Sequence, residues 1–113
     1  MNQCVIIIRV MEHDIKKIKE LFKKNQLLFS ALGDPNRQEI LLIMADTKHL
    51  SVGQVAKLTK LSRPAVSHHL KILQEAQLVT QHIEGTRRYY RPTLKAHITP
   101  IRQFLDAVAK LET

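Results

Sequence analysis

The side chains able to do chemistry in this sequence are six histidines, one cysteine and eighteen lysines and arginines, in a chain of 113 residues. Metal capture needs imidazole, thiolate or carboxylate donors at a common point, and two histidines on one helix share an ion from positions i and i+4. His13, His49, His68, His69, His82 and His97 contain no such pair. His68 and His69 are adjacent, so on a helix they face different ways. A cysteine cage needs several thiolates, and Cys4 stands alone. Catalysis is no better served. There is no Gly-rich phosphate loop, no supported Ser/His/Asp or Cys/His arrangement, and no carboxylate pair in an apolar setting. The sequence therefore predicts no enzyme, no metal site and no cofactor.

Cationic chemistry remains. Eighteen Lys and Arg against ten Asp and Glu give a net charge of +8. Such a field attracts polyanions: nucleic acid, an anionic membrane face or an acidic partner. Two groupings have the residue types that read a duplex. In Ser62-Arg63-Pro64-Ala65-Val66-Ser67-His68, Arg63 suits a bidentate bond to guanine O6 and N7. Ser67 and His68 offer single hydrogen bonds, the Ala65 methyl suits a thymine methyl, and Lys71 suits a phosphate. Further on, Thr86-Arg87-Arg88 places two guanidiniums on opposite sides of a strand, suited to a sugar-phosphate backbone or a minor groove.

Helical elements must hold these groups. Aromatics are only 4% of the chain, so the core is aliphatic. Ile15, Ile18, Leu21, Phe22 and Leu28 recur at helical spacing and predict a first amphipathic helix over 13–31. Asp34 and Pro35 are an N-cap and a first helical residue, opening a central helix over 35–46 with Ile40, Leu41, Ile43 and Met44. Ser51-Val52-Gly53-Gln54 is a capping box for a short helix over 52–59, with Val55, Ala56 and Leu58 inward. Lys60-Leu61-Ser62 is a tight connection, Ser62 a second N-cap, and Pro64 fits a first turn. The helix it opens runs to Glu75 or Ala76, with Val66, Leu70 and Leu73 as its buried stripe and His69 beside it. Two short helices, a three-residue turn and a polar outer face on the second make a helix-turn-helix.

Beyond Leu78 the period changes. Residues 78–83 and 86–91 are strand-like, joined at Glu84-Gly85, where glycine permits a positive φ. A last helix over 97–111 presents Ile98, Ile101, Leu105, Val108 and Leu111. The expected fold is mainly α with a small β-hairpin wing, about five helices in all. Residues 1–12 are expected to be an N-terminal extension, with Met11 an alternative start, and 13–113 the winged helix-turn-helix domain. The apolar run Cys4–Met11 is interrupted by Arg9 and is far short of the roughly 20 residues of a membrane span. A lone cysteine fits a reducing, cytoplasmic setting.

From Leu28 to Tyr90 the sequence resembles the ArsR/SmtB-type winged-helix repressors. The resemblance rests on Leu32-Gly33-Asp34-Pro35-Asn36-Arg37 with Ile40-Leu41, on Leu61 to Leu73, on Ala76-Gln77-Leu78-Val79, and on Glu84 to Arg91. It implies a homodimer whose first and last helices form the interface, binding an inverted repeat in double-stranded DNA as an effector-released repressor. The need of the first and last helices for burial agrees with this, and Ile15, Ile18, Phe22, Ile101, Leu105 and Val108 are the interface residues it assigns. The expected DNA-binding residues are Ser62, Arg63, Ala65, Ser67, His68, Lys71, Thr86, Arg87 and Arg88.

The metal patterns of that family do not carry over. Where one has Cys-x-Cys before the turn, this chain has His49-Leu50-Ser51-Val52-Gly53-Gln54. Where another has Asp-x-His, Lys95 precedes His97, and the later ligand positions fall near Val108 and Leu111. The effector is left unassigned. Two other readings stay open: a metal- or redox-responsive repressor of the same fold with a site of another pattern, and a basic protein-interaction or membrane-surface module built on Lys16, Lys17, Lys19, Lys23 and Lys24.

Overall fold

The computed structural model describes residues 3–47 and 49–112, with side chains except at 6–8 and 10. In chain order the elements are α1 (Gln3–Lys24), α2 (Gln26–Leu32), α3 (Pro35–Asp46), β1 (Leu50–Ser51), α4 (Val52–Thr59), α5 (Arg63–Glu75), β2 (Val79–Glu84), β3 (Arg87–Pro92), a 3-10 turn (Leu94–His97) and α6 (Ile98–Leu111). They form two compact units. One joins the ends of the chain, up to Gln26 and from His97, and the other is Leu27–Ala96.

The unit made of the chain ends is a pair of helices, α1 and α6. Ile18, Leu21 and Ala107 are its core, with Phe104 and Val108 packed against them. Phe22 meets Phe104 edge-to-face at 4.6 Å, an arrangement the ring quadrupoles favour. Other apolar side chains are left uncovered: Ile15 is 54% exposed, Phe22 50% and Leu105 57%.

The first helix differs from the expected 13–31. It begins at Gln3, so residues 3–12 are helical and continuous with it, and it ends at Lys24. The break has a local cause. The Asn25 side-chain amide donates to the Leu21 carbonyl at 2.8 Å, where its own backbone N–H also bonds. A short amide that takes a backbone partner competes with helix propagation. The same amide reaches the Pro100 carbonyl at 3.4 Å, tying the end of α1 to α6. The chain turns helical again as α2.

In the other unit α3 is central, with Ile40 and Met44 fully buried. Around it lie Val55 of α4 and Val66, Leu70 and Leu73 of α5, each fully buried, with Leu78 after α5. Each such side chain contributes about 1.5–3 kcal/mol. Leu58, expected to face inward, is 55% exposed. The covered face of α4 is Val52, Val55, Ala56 and Thr59, a set spaced i, i+3, i+4 and i+7 that leaves Leu58 to one side.

Each of these helices starts at a side-chain cap. Asp34 accepts from the backbone N–H groups of Asn36 and Arg37 at 2.8 and 3.1 Å. Ser51 and Gln54 form the reciprocal capping box, and Ser62 accepts from the Ala65 N–H at 3.2 Å. At the end of α5, Leu78 N–H bonds the Leu73 carbonyl and Gln77 N–H that of Gln74. This Schellman closure puts Gln77 at φ 58°, where glycine is usual.

The sheet is antiparallel with order β1-β3-β2. Each hairpin strand lies one residue later than the sequence pattern placed it, with Glu84 opposite Arg87 and Gly85-Thr86 as the tip. Gly85 has φ +62°, as the tight turn requires. β1 was not legible: two residues are too few to show alternation, and it is a strand because Leu50 and Ser51 pair with Tyr90 and Tyr89. The last helix likewise begins one residue late, preceded by the 3-10 turn.

Candidate nucleic-acid interface

The α4–α5 connection turns at Lys60, which holds a left-handed φ of 61° as the C-cap of α4. Ser62 restarts the helix, and Pro64 sits in the first turn, where no N–H is needed. Because Val66, Leu70 and Leu73 bury one face of α5, Arg63, Ser67, His68 and Lys71 emerge on its exposed side. Ser62 is exposed too, with its hydroxyl oxygen engaged as the cap. Ala65 is half-buried, which narrows what its methyl can touch.

The hairpin brings its basic residues to the same place. Arg87 and Arg88, both exposed, line an open cleft of about 560 Å³ together with Arg63, Lys57 and the first residues of α4, Ser51 to Gln54. Four of its eight lining residues are cations and none is an acid. The first turn of α4 adds backbone N–H groups and the positive end of its dipole. Thr86, at the hairpin tip, is exposed.

Arg63 does not project straight from the start of α5. A Cβ placed on Gly53 would meet Arg63 Nη2 at 3.0 Å and Cζ at 3.3 Å. The guanidinium therefore lies across the first turn of α4, inside the cleft. Lys57, Gln54 and Gly53 also line the cleft, and in the sequence Gln54 and Gly53 read only as part of a capping box. The glycine in the box was the available clue, because it leaves room for a side chain above α4.

Two further polar groupings lie in the same unit. Arg37 of α3 donates from Nε to the Ala31 carbonyl at 2.8 Å and from Nη2 to the Ser30 carbonyl at 3.2 Å. Its Nη1 lies 3.3 Å from His69 Nδ1 and 3.8 Å from Asp34 Oδ2. The backbone N–H of Arg37, its guanidinium and the Asn36 N–H hold the Asp34 carboxyl below the ordinary carboxylate range despite some desolvation. On the hairpin, His49 stacks on Tyr89 at 4.3 Å, and the Nε2 atoms of His49 and His82 lie 3.7 and 3.2 Å from Glu84 Oε1. Among the described residues no three of His, Cys, Asp and Glu converge so as to hold a metal ion. Among them, too, no helix is long and apolar enough to cross a membrane.

A family model described as bacterial regulatory protein, arsR family, matches residues 34–81, which run from the Asp34 cap through both helices of the motif into β2. The uncharacterised HTH-type transcriptional regulator MJ1325 of Methanocaldococcus jannaschii is 37% identical over 71 residues, 63% of this chain and 80% of that protein. The chain belongs to the arsR family. It is also similar to the arsenical resistance operon repressor of Bacillus subtilis, 34% identical over 63% of this chain and 68% of the relative. The transcriptional repressor SdpR of the same organism is 35% identical over 56% of this chain and 69% of the relative. Among solved structures, an ArsR-like transcriptional regulator from Rhodococcus sp. RHA1 superposes with a TM-score of 0.73 at 26% identity, over 80% of this chain and 83% of that one. Family and fold make this arsR protein a winged-helix, DNA-binding transcription regulator rather than an enzyme.

Proposed function

We propose that this protein is a cytoplasmic, sequence-specific repressor that binds an inverted-repeat operator in double-stranded DNA as a homodimer. The observation that carries this reading is the acid-free cleft of Arg63, Lys57, Arg87 and Arg88, set beside the exposed face of α5. In this reading α5 enters a major groove, with Ser67 and His68 at base edges and Lys71 at a phosphate. The cleft cations take the adjoining sugar-phosphate backbone, and Thr86 with the hairpin tip follows the neighbouring minor groove. In this reading Arg63, lying along α4, is a phosphate clamp rather than a guanine reader. Two copies of the domain, residues 13–113, associate through the first and last helices by way of the exposed Ile15, Phe22 and Leu105, and the half-buried Ile101. Ile18 and Val108 support that surface from within the helix pair. A two-fold dimer presents two copies of α5 about one helical turn of DNA apart.

The test is a footprint on DNA from the protein's own promoter. The expected pattern is two protected major-groove segments, related by two-fold symmetry and spaced about 10 base pairs centre to centre. Uniform, sequence-independent protection contradicts the reading.

A further inference from the structure

The apolar stripe that seats α5 is non-directional. Val66, Leu70 and Leu73 seat one face of the helix on the core, but apolar burial is non-directional and does not by itself single out one rotation within that seat. A hydrogen bond has a direction. Among the described residues, His69 is the only side chain of α5 hydrogen-bonded to another element, and its partner is Arg37 of α3 at 3.3 Å. Arg37 is itself held firmly. Its side chain is 12% exposed, and two of its nitrogens donate to the last carbonyls of α2. A guanidinium only donates, so His69 Nδ1 must accept, which places the ring proton on Nε2. His69 directly follows Ser67 and His68, whose side chains are exposed. A turn of α5 that broke this bond would carry both away from their base edges.

We infer that Arg37 and His69 are a positioning pair: the fixed guanidinium of α3 sets the rotation of α5, and with it the sequence preference of the protein. This inference rests on the reading of α5 as the groove helix. Neither residue need touch DNA.

The experiment compares wild type, His69→Leu and His69→Asn, each measured on an operator duplex and on a random duplex, with thermal melting of each protein. His69→Leu keeps bulk and removes the acceptor; His69→Asn places an amide oxygen near the Nδ1 position. The expected result is a loss of operator affinity of about ten-fold for His69→Leu, with random-duplex affinity unchanged. His69→Asn recovers most of the loss. Nitrogen NMR of the wild type shows an unprotonated Nδ1. Retained operator preference in His69→Leu, an equal loss on both duplexes, no recovery in His69→Asn, or a proton on Nδ1 would each overturn the pair. If wild type itself shows no operator preference, the reading of α5 fails first, and the inference falls with it.

Discussion

The guanidinium of Arg63 rests on Gly53. A methyl group at that glycine would stand 3.0 Å from Nη2, so the one position in α4 without a side chain is the one that lets Arg63 lie along the helix. This relationship turns a residue that heads α5 into part of a basic cleft shared by α4, α5 and the hairpin.

Gly53→Ala separates this role from folding. Alanine is the better helix former by about 1 kcal/mol in a helix interior, and the atoms it displaces are the far end of a flexible side chain. Thermal stability should hold or rise. Affinity for DNA should fall about ten-fold, as expected for loss of one charge-assisted contact. Lower stability with unchanged binding would show that the Arg63 position is incidental.

Asp34 predicts an acid-sensitive fold. Its carboxyl titrates lower when folded than when unfolded, so the unfolded chain binds more protons in the window between the two values. The stability it contributes is full above the ordinary carboxylate value and is lost as the pH falls through the lower, folded value. Asparagine caps a helix nearly as well but does not titrate. Urea unfolding of Asp34→Asn across the acid range should show a shallower loss of stability than wild type. Identical pH profiles would remove Asp34 from the account.

Much of this arrangement is legible in the sequence, and the parts that are not have two causes. Asp34, Ser51 and Ser62 are legible as caps because capping is local, resolved within three residues. The stripe Val66, Leu70 and Leu73 is legible because helical periodicity is local too. Arg63 on Gly53 and Arg37 against His69 join residues far apart in the chain, which no periodicity encodes. β1 exists only through its pairing with β3. The end of α1 turns on the competition of the Asn25 amide for a carbonyl, in a stretch where the apolar spacing alone continues the helix.

The seating of α5 on the core makes Leu70 the residue whose truncation should cost most. It is fully buried, and Leu70→Ala should destabilise by about 2–5 kcal/mol in urea. Ser62→Ala, which removes only the cap, should cost about 1 kcal/mol. Equal costs for the two would mean that packing of the stripe is not what holds the helix.

The exposed apolar side chains of the helix pair predict the oligomeric state. Leu105→Glu places a charge where the account puts the partner protomer. Sedimentation should show monomer at concentrations where wild type is dimeric, and operator affinity should fall far more than random-duplex affinity. A wild type that sediments as a monomer at micromolar concentration contradicts the dimer.

The central claim is that α5 reads sequence while the basic cleft supplies charge. Equilibrium affinity for the footprinted inverted repeat and for a random duplex, followed across salt concentration, tests both parts. The account predicts about a thousand-fold preference or more for the repeat at physiological salt. It predicts a steep fall of affinity with salt, flattened by roughly one charge for each of Arg63→Ala, Arg87→Ala and Arg88→Ala. Equal affinity for the two duplexes, or a salt slope that these substitutions leave unchanged, would contradict it.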